Sequence, residues 1–117
     1  MTADATIDTD RLFFALGDRT RRLLLGQLAL RPMTVSELAR AAEISVAAAV
    51  QHLEILEETG LAATEKVGRV RTCRIDRRGF DALEQWIRNH RSLWDLRLDR
   101  LGEMLENAGM DTSSVDD

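Results

Sequence analysis

The stretch from Thr34 to Gly60, TVSELARAAEISVAAAVQHLEILEETG, constrains this chain more than any other. Thr34 and Glu37 form a T-x-x-E capping box, which starts a helix at Val35. Leu38, Ala41 and Ala42 give that helix a narrow apolar face, and the pattern breaks at Glu43-Ile44. Ser45 then supplies a second N-cap. In the helix after it, Val46, Ala49 or Val50, Leu53 and Leu56 recur at spacings of three and four, so one side is expected to be buried. Ala47, Ala48, Gln51, His52, Ile55 and Glu58 are left facing outward or sideways, and Gly60 ends the helix as the residue suited to a left-handed C′ position. Two helices around a tight turn are the shape in which a second helix is offered to a DNA major groove, and also a plain packing unit of all-α domains.

The segment beyond Gly60 separates those two uses. Residues 61–67 and 70–75 read as strands, with Val70, Thr72 and Arg74 on one face of the second and Arg71, Cys73 and Ile75 on the other. Gly68-Arg69 is the two-residue tip between them. A basic hairpin directly after such a helix pair is a wing, and Lys66, Arg69 and Arg71 are placed to reach a phosphate backbone or a minor groove. The alternative is a solvated edge hairpin guarded by its charges.

Net charge alone points away from nucleic acid, because the 117-residue chain carries −4. The distribution reverses this. Residues 1–10 and 108–117 each hold −3, leaving +2 on the body. Residues 61–78 are locally +4 and residues 11–22 locally +3, and 15 of the 16 basic residues are arginine, the side chain suited to forked contacts with phosphate or carboxylate. No run of about 18 apolar residues is present, and the acidic start MTADATIDTD lacks the basic and then apolar order of a signal peptide, so a cytoplasmic protein without membrane contact is expected. Cys73 is the only cysteine, which excludes an internal disulfide and leaves an intermolecular bridge, an oxidant-sensitive thiol or an inert packed one.

Before the helix pair, Leu12, Phe13 and Leu16 mark a short helix ending at Gly17, and Asp18 caps another from about Arg19 to Leu30. Leu23, Leu24, Leu25, Leu28 and Leu30 are its core candidates, and Arg31-Pro32 ends it. From Asp76 or Gly79 to about Asn107 the pattern is helical again. Phe80, Leu83, Ile87, Trp94, Leu98, Leu101 and Leu105 follow one stripe, widened by Trp86, Leu93, Leu96 and Met104. Unbroken, this helix would span on the order of 43 Å, and a second copy is the economical cover for so long an apolar face. A break near Asn89-His90 would divide it in two. The organisation expected is a flexible acidic segment at 1–9, one domain at 10–107 and a flexible acidic tail at 108–117. The fold class is mainly α with a small β-hairpin, a winged helix-turn-helix dimerising through its terminal helices. The dimer contacts expected are Leu12, Phe13, Leu16, Phe80, Leu83, Trp86, Ile87, Trp94, Leu98, Leu101 and Leu105.

In order and spacing, Ala15-Leu16-Gly17-Asp18-Arg19-Thr20-Arg21, Thr34-Val35-Ser36-Glu37-Leu38-Ala39, His52-Leu53 with Leu56 and Gly60-Leu61, and Gly68-Arg69 resemble the ArsR/SmtB family of small dimeric winged-helix transcriptional repressors. The resemblance runs from about Leu12 to Leu105. It implies a homodimeric repressor on a double-stranded operator palindrome, with Thr20, Arg21, Ser45, Val46, Ala47, Ala48, Val50, Gln51, His52, Lys66, Arg69 and Arg71 as DNA-binding residues.

The chain departs from that family in two places. Family members commonly carry polar residues on the first turns of the recognition helix, where this chain has Val46, Ala47, Ala48 and Val50, so base readout is thin. Wing arginines and DNA shape are expected to supply much of the binding. Metal sensing is also disfavoured: the helix at 35–42 has no cysteine, His90 is the only histidine of the last helix, and its acidic neighbours resemble partners of nearby arginines. The Trp94-x-x-Arg97-Leu98-Asp99-x-Leu101 run is similar to a subgroup without metal sites. No cofactor is expected and the inducer is unknown. Two histidines and one cysteine at these positions assemble no catalytic constellation, so the reading is regulatory and not enzymatic. A winged-helix module that has lost DNA and uses its alanine-rich helix for protein contacts is the other reading.

Overall fold

The computed structural model describes residues 7–108. The elements run α1 (Thr9–Leu16), α2 (Arg19–Leu28), β1 (Met33–Thr34), α3 (Val35–Ala42), α4 (Val46–Glu58), β2 (Ala62–Val67), β3 (Val70–Ile75) and α5 (Arg77–Ala108). The chain divides into two compact units after Glu84, within the span of α5.

In the first unit, local chemistry sets the starts of α1 to α4. Asp8 accepts from the Asp10 amide, Asp18 from the Arg21 amide and Ser45 from the Ala48 amide. Thr34 and Glu37 complete the expected capping box in both directions. The turn between α3 and α4 is made by Glu43 at φ 58°, a left-handed position that glycine more often fills. Gly60, at φ 79°, succeeds the end of α4 as expected.

The sheet has three antiparallel strands in the order β1-β3-β2. The pairing Val67↔Val70 leaves Gly68-Arg69 as the hairpin tip, and Gly68 takes φ 66° there. Strand β1 was not expected: Met33 pairs with Cys73 and Thr34 with Thr72, but two residues carry no periodic signal.

The core joins Leu12 and Ala15 of α1, Leu24, Leu25 and Leu28 of α2, Leu38 of α3, Ala49, Leu53 and Leu56 of α4, and Cys73 of β3. Several expectations are corrected. Leu12 is fully buried in this core, so it is no dimer contact, and Leu16, Phe80 and Leu83 pack against the same core while half-buried. Leu23 and Leu30 are exposed, because α2 ends at Leu28 and its buried face passes through Leu24, Leu25 and Leu28. On α4, Val46 lies outside the buried face and Ile55 packs against it, the reverse of the expectation for both. Ile7 also packs against the core, and the expected flexible acidic ends fall mostly on residues 1–6 and 109–117, which lie outside the described residues.

In the second unit, residues 85–108 are helical throughout, and α5 has no break at Asn89-His90. Ile87, Trp94, Leu98, Leu101 and Leu105 are all exposed there. Trp86 stacks on His90 with ring centroids 4.1 Å apart, and Trp94 meets Trp86 edge-on at 5.8 Å. His90 Nδ1 lies 2.8 Å from the Trp86 carbonyl, which fixes the ring along the helix.

Candidate nucleic-acid interface

The basic residues fall into two groups, those held by the protein and those left outward. Helix α1 ends at Leu16 with carbonyls that have no partner inside the helix. Arg21 fills them: its Nε donates to the Ala15 carbonyl at 2.8 Å and its Nη2 to that of Phe14 at 3.1 Å. A cation at a helix C-terminus also suits the helix dipole. The guanidinium lies over the Phe14 ring, 5.1 Å from its centroid, and Arg21 is only 7% exposed. Arg22 adds a bond from Nη1 to the Leu16 carbonyl at 2.7 Å, and Arg11 pairs with Glu58 at 3.0 Å. The local positive charge of residues 11–22 is thus largely engaged within the fold. Arg21, expected as a DNA contact, is here a residue that joins α1, α2 and α4.

His52 belongs to the same arrangement. Arg21 Nη1 lies 3.3 Å from His52 Nδ1, and because a guanidinium can only donate, this is a hydrogen bond when the histidine proton sits on Nε2. Asp18 Oδ2 is 3.8 Å from the same nitrogen. The Arg21 amide holds the Asp18 carboxyl below its ordinary value; burial opposes it, and the nearby Arg21 and His52 side chains add smaller lowering effects. His52 is half-buried and ties the middle of α4 to the start of α2, where Thr20 is also half-buried.

The outward face of α4 consists of Val46, Ala47 and Gln51, all exposed, with Glu54 below them. Ala48 and Val50 are half-buried, and Val50 packs against the core. Ser45 is exposed, but its hydroxyl is engaged as the cap. Glu54 places an acid on this face.

On the wing, Arg71 is held. Its Nη2 donates to Glu57 Oε1 of α4 at 3.0 Å, and the Thr64 hydroxyl of β2 donates to Glu57 Oε2. Glu57 therefore fastens both strands of the hairpin to α4, a role with no sequence signal because it depends on three distant positions. Arg78 grips Asp76, with Nη2 2.7 Å from Oδ2, and this contact keeps the Asp76 carboxyl below its ordinary value. Lys66, near the end of β2, and Arg69, in the hairpin tip itself, are exposed beyond these contacts. Cys73, under the same sheet, is fully buried, and burial pushes its thiol up to about 11, with Arg71 opposing and Glu57 adding to the shift. Among the described residues, no three His, Cys, Asp or Glu side chains gather as a metal ion would need, and no helix is long and apolar enough to cross a membrane.

A capped helix pair, a sheet of three short strands and a hairpin fastened beside the second helix define the winged helix-turn-helix class. Residues 18–64 match the family model described as bacterial regulatory protein, arsR family. The chain is 33% identical over 103 residues to the HTH-type transcriptional regulator Rv2034 of Mycobacterium tuberculosis, covering 88% of this chain and 94% of that one. It is 41% identical to the ArsR family transcriptional regulator RHA00566, whose crystal structure aligns with a TM-score of 0.69 over 74% of this chain and 96% of that one. The homodimeric winged helix-turn-helix DNA-binding domain Mb0332 of Mycobacterium bovis shares the fold, with a TM-score of 0.57 at 22% identity over 79% of this chain and 82% of that one. The chain belongs to the ArsR family and is a transcriptional regulator.

Proposed function

We propose that the chain acts as a homodimeric repressor that seats two copies of α4 on an operator palindrome. The observation that carries this reading is the pair Lys66 and Arg69, exposed at a wing whose root is fastened to α4 by Glu57. Two cations at that position suit phosphates beside the groove that α4 would enter. Val46 and Ala47 offer methyl groups to thymine, and Gln51 is the polar side chain left for a base edge. Ser45, Ala48 and Thr20 border this surface, and His52 positions α4 from behind.

The exposed stripe Ile87, Trp94, Leu98, Leu101 and Leu105 supports pairing of two α5 helices, with Phe13 of α1 exposed as a further apolar contact. Burying one such side chain fully contributes about 1.5–3 kcal/mol, so the stripe favours a dimer. Half-sites about 34–36 Å apart would match its two-fold symmetry. No cofactor enters this reading, and its setting is the cytoplasm.

The test is fluorescence anisotropy with the palindrome upstream of the chain's own gene, alongside sedimentation of the free protein. A dimer whose affinity falls steeply with salt is expected. A monomer, or affinity that is flat across salt, would overturn the reading.

A further inference from the structure

A groove of about 810 Å³ opens within the first unit between the end of α2, the Arg31-Pro32 turn, the end of β3 and the first turn of α5. Its volume is within the usual range for small-molecule sites, about 300–1,000 Å³. The floor is apolar: Leu25 and Leu28 are buried core residues, and Ile75 and Phe80 pack against that core while still lining the groove. Three arginines, Arg31, Arg74 and Arg77, line it as well, and no acidic side chain does. Two of them make long, solvated ion pairs, Arg31 with Glu37 at 3.7 Å and Arg77 with Asp81 at 3.8 Å, and Arg31 also donates to the Pro32 carbonyl at 3.1 Å. Exposed pairs of that length are held weakly, so a ligand carboxylate competes with them at little cost.

We propose that this groove binds a small organic anion, a carboxylate on an apolar body, as the effector of the regulator. The apolar body fits the floor, and the guanidiniums offer the planar fork that carboxylates accept. The effector role rests on the function proposed above; the binding itself does not. Coupling is built into β3. Arg74 and Ile75 meet the groove, while Arg71, three residues before Arg74, holds the wing to α4 through Glu57.

Gly26 provides a blocking variant. It lines the groove, and a Cβ added there meets nothing within 4 Å, so Gly26→Leu is chosen to place a bulky side chain at the groove while replacing a poor helix former within α2. Calorimetric titration of decanoate into the full chain, without DNA, is expected to show one saturable site. Decanol, which lacks the charge, should bind about tenfold more weakly or worse, as should decanoate to Arg74→Glu. Decanoate should also be lost from Gly26→Leu, with its melting temperature unchanged or raised. Equal affinity for decanol, or decanoate binding unchanged in both variants, would overturn the proposal. So would a monomeric Gly26→Leu beside a dimeric parent, which would make the groove an interface between copies. Operator affinity of the ligand-free protein tests the repressor reading separately. If operator binds equally with and without saturating decanoate, the effector role fails while the repressor reading stands.

Discussion

The Gly79 amide of α5 donates to the Gly60 carbonyl at 2.7 Å, and a Cβ on Gly79 would lie 2.5 Å from that oxygen. The atom in the way is backbone, so no side chain can rotate aside. Gly79→Ala is therefore expected to destabilise the fold by on the order of 2–3 kcal/mol. Chemical denaturation measures this, and a loss below about 0.5 kcal/mol would show that the two turns can part without cost.

Arg21 should behave as a structural residue. Arg21→Ala removes the side-chain donor of the Ala15 carbonyl and leaves the Phe14 carbonyl with the Gly17 amide alone, and a loss of roughly 2–4 kcal/mol is expected. Lysine should restore little, since one ammonium cannot reproduce the fork. Duplex affinity, compared at a temperature where both proteins are folded, should keep its salt slope; a slope reduced by about one would return Arg21 to the phosphate contacts.

Lys66→Ala and Arg69→Ala are expected to give the opposite signature. Each should leave the melting temperature within a degree or two, roughly, because surface substitutions seldom exceed about 0.5 kcal/mol. Each should weaken duplex binding across sequences and lower the salt slope by about one. Glu57→Ala, which releases Thr64 and Arg71, should reduce stability and duplex affinity together.

The Cys73 thiol should be inert in the native protein. Its pKa is raised from an ordinary 9.0 to about 11, so the folded state favours the protonated thiol. That contribution to stability is complete below about pH 9 and declines as pH rises toward about 11. Iodoacetamide at neutral pH should label Cys73 only after denaturant is added. Rapid labelling of the folded protein would restore the oxidant-sensing reading.

At the acid end the sign is reversed. The folded state holds the Asp18 carboxyl below 3.8, chiefly through the Arg21 amide, so its contribution is present above that pH and is lost as pH falls through the folded value. Asp18→Ala should cost about 1 kcal/mol at neutral pH. Asp18→Asn, which keeps a capping oxygen, should flatten the acid limb of the stability curve, as urea denaturation at successive pH values would show.

The sequence carried the features that local chemistry decides. The Thr34/Glu37 box, the Ser45 cap, the Gly60 stop and the Gly68-Arg69 tip each depend on residues within a few positions of one another, and each is found where the pattern put it. The internal contacts of Arg21 and Arg71 are illegible in the sequence for a common reason. An arginine near a helix start or on a hairpin reads as a free cation until the carbonyls of α1 or the carboxylate of Glu57 are folded against it. Leu12 and Leu30 were misplaced because an apolar residue in a helical register does not say which neighbour lies opposite. Leu12 faces the core of its own chain and Leu30 lies past the end of α2.

The double grip of Glu57 makes the hairpin root and α4 a caliper with a set opening. Only the few residues past Arg71 and Lys66 at the tip retain freedom to adjust. Seated as proposed, such a tool would gauge the gap between adjacent grooves before any base edge is met, so sequences that stiffen or widen the helix would be refused on shape, even where every methyl group and amide partner is in place.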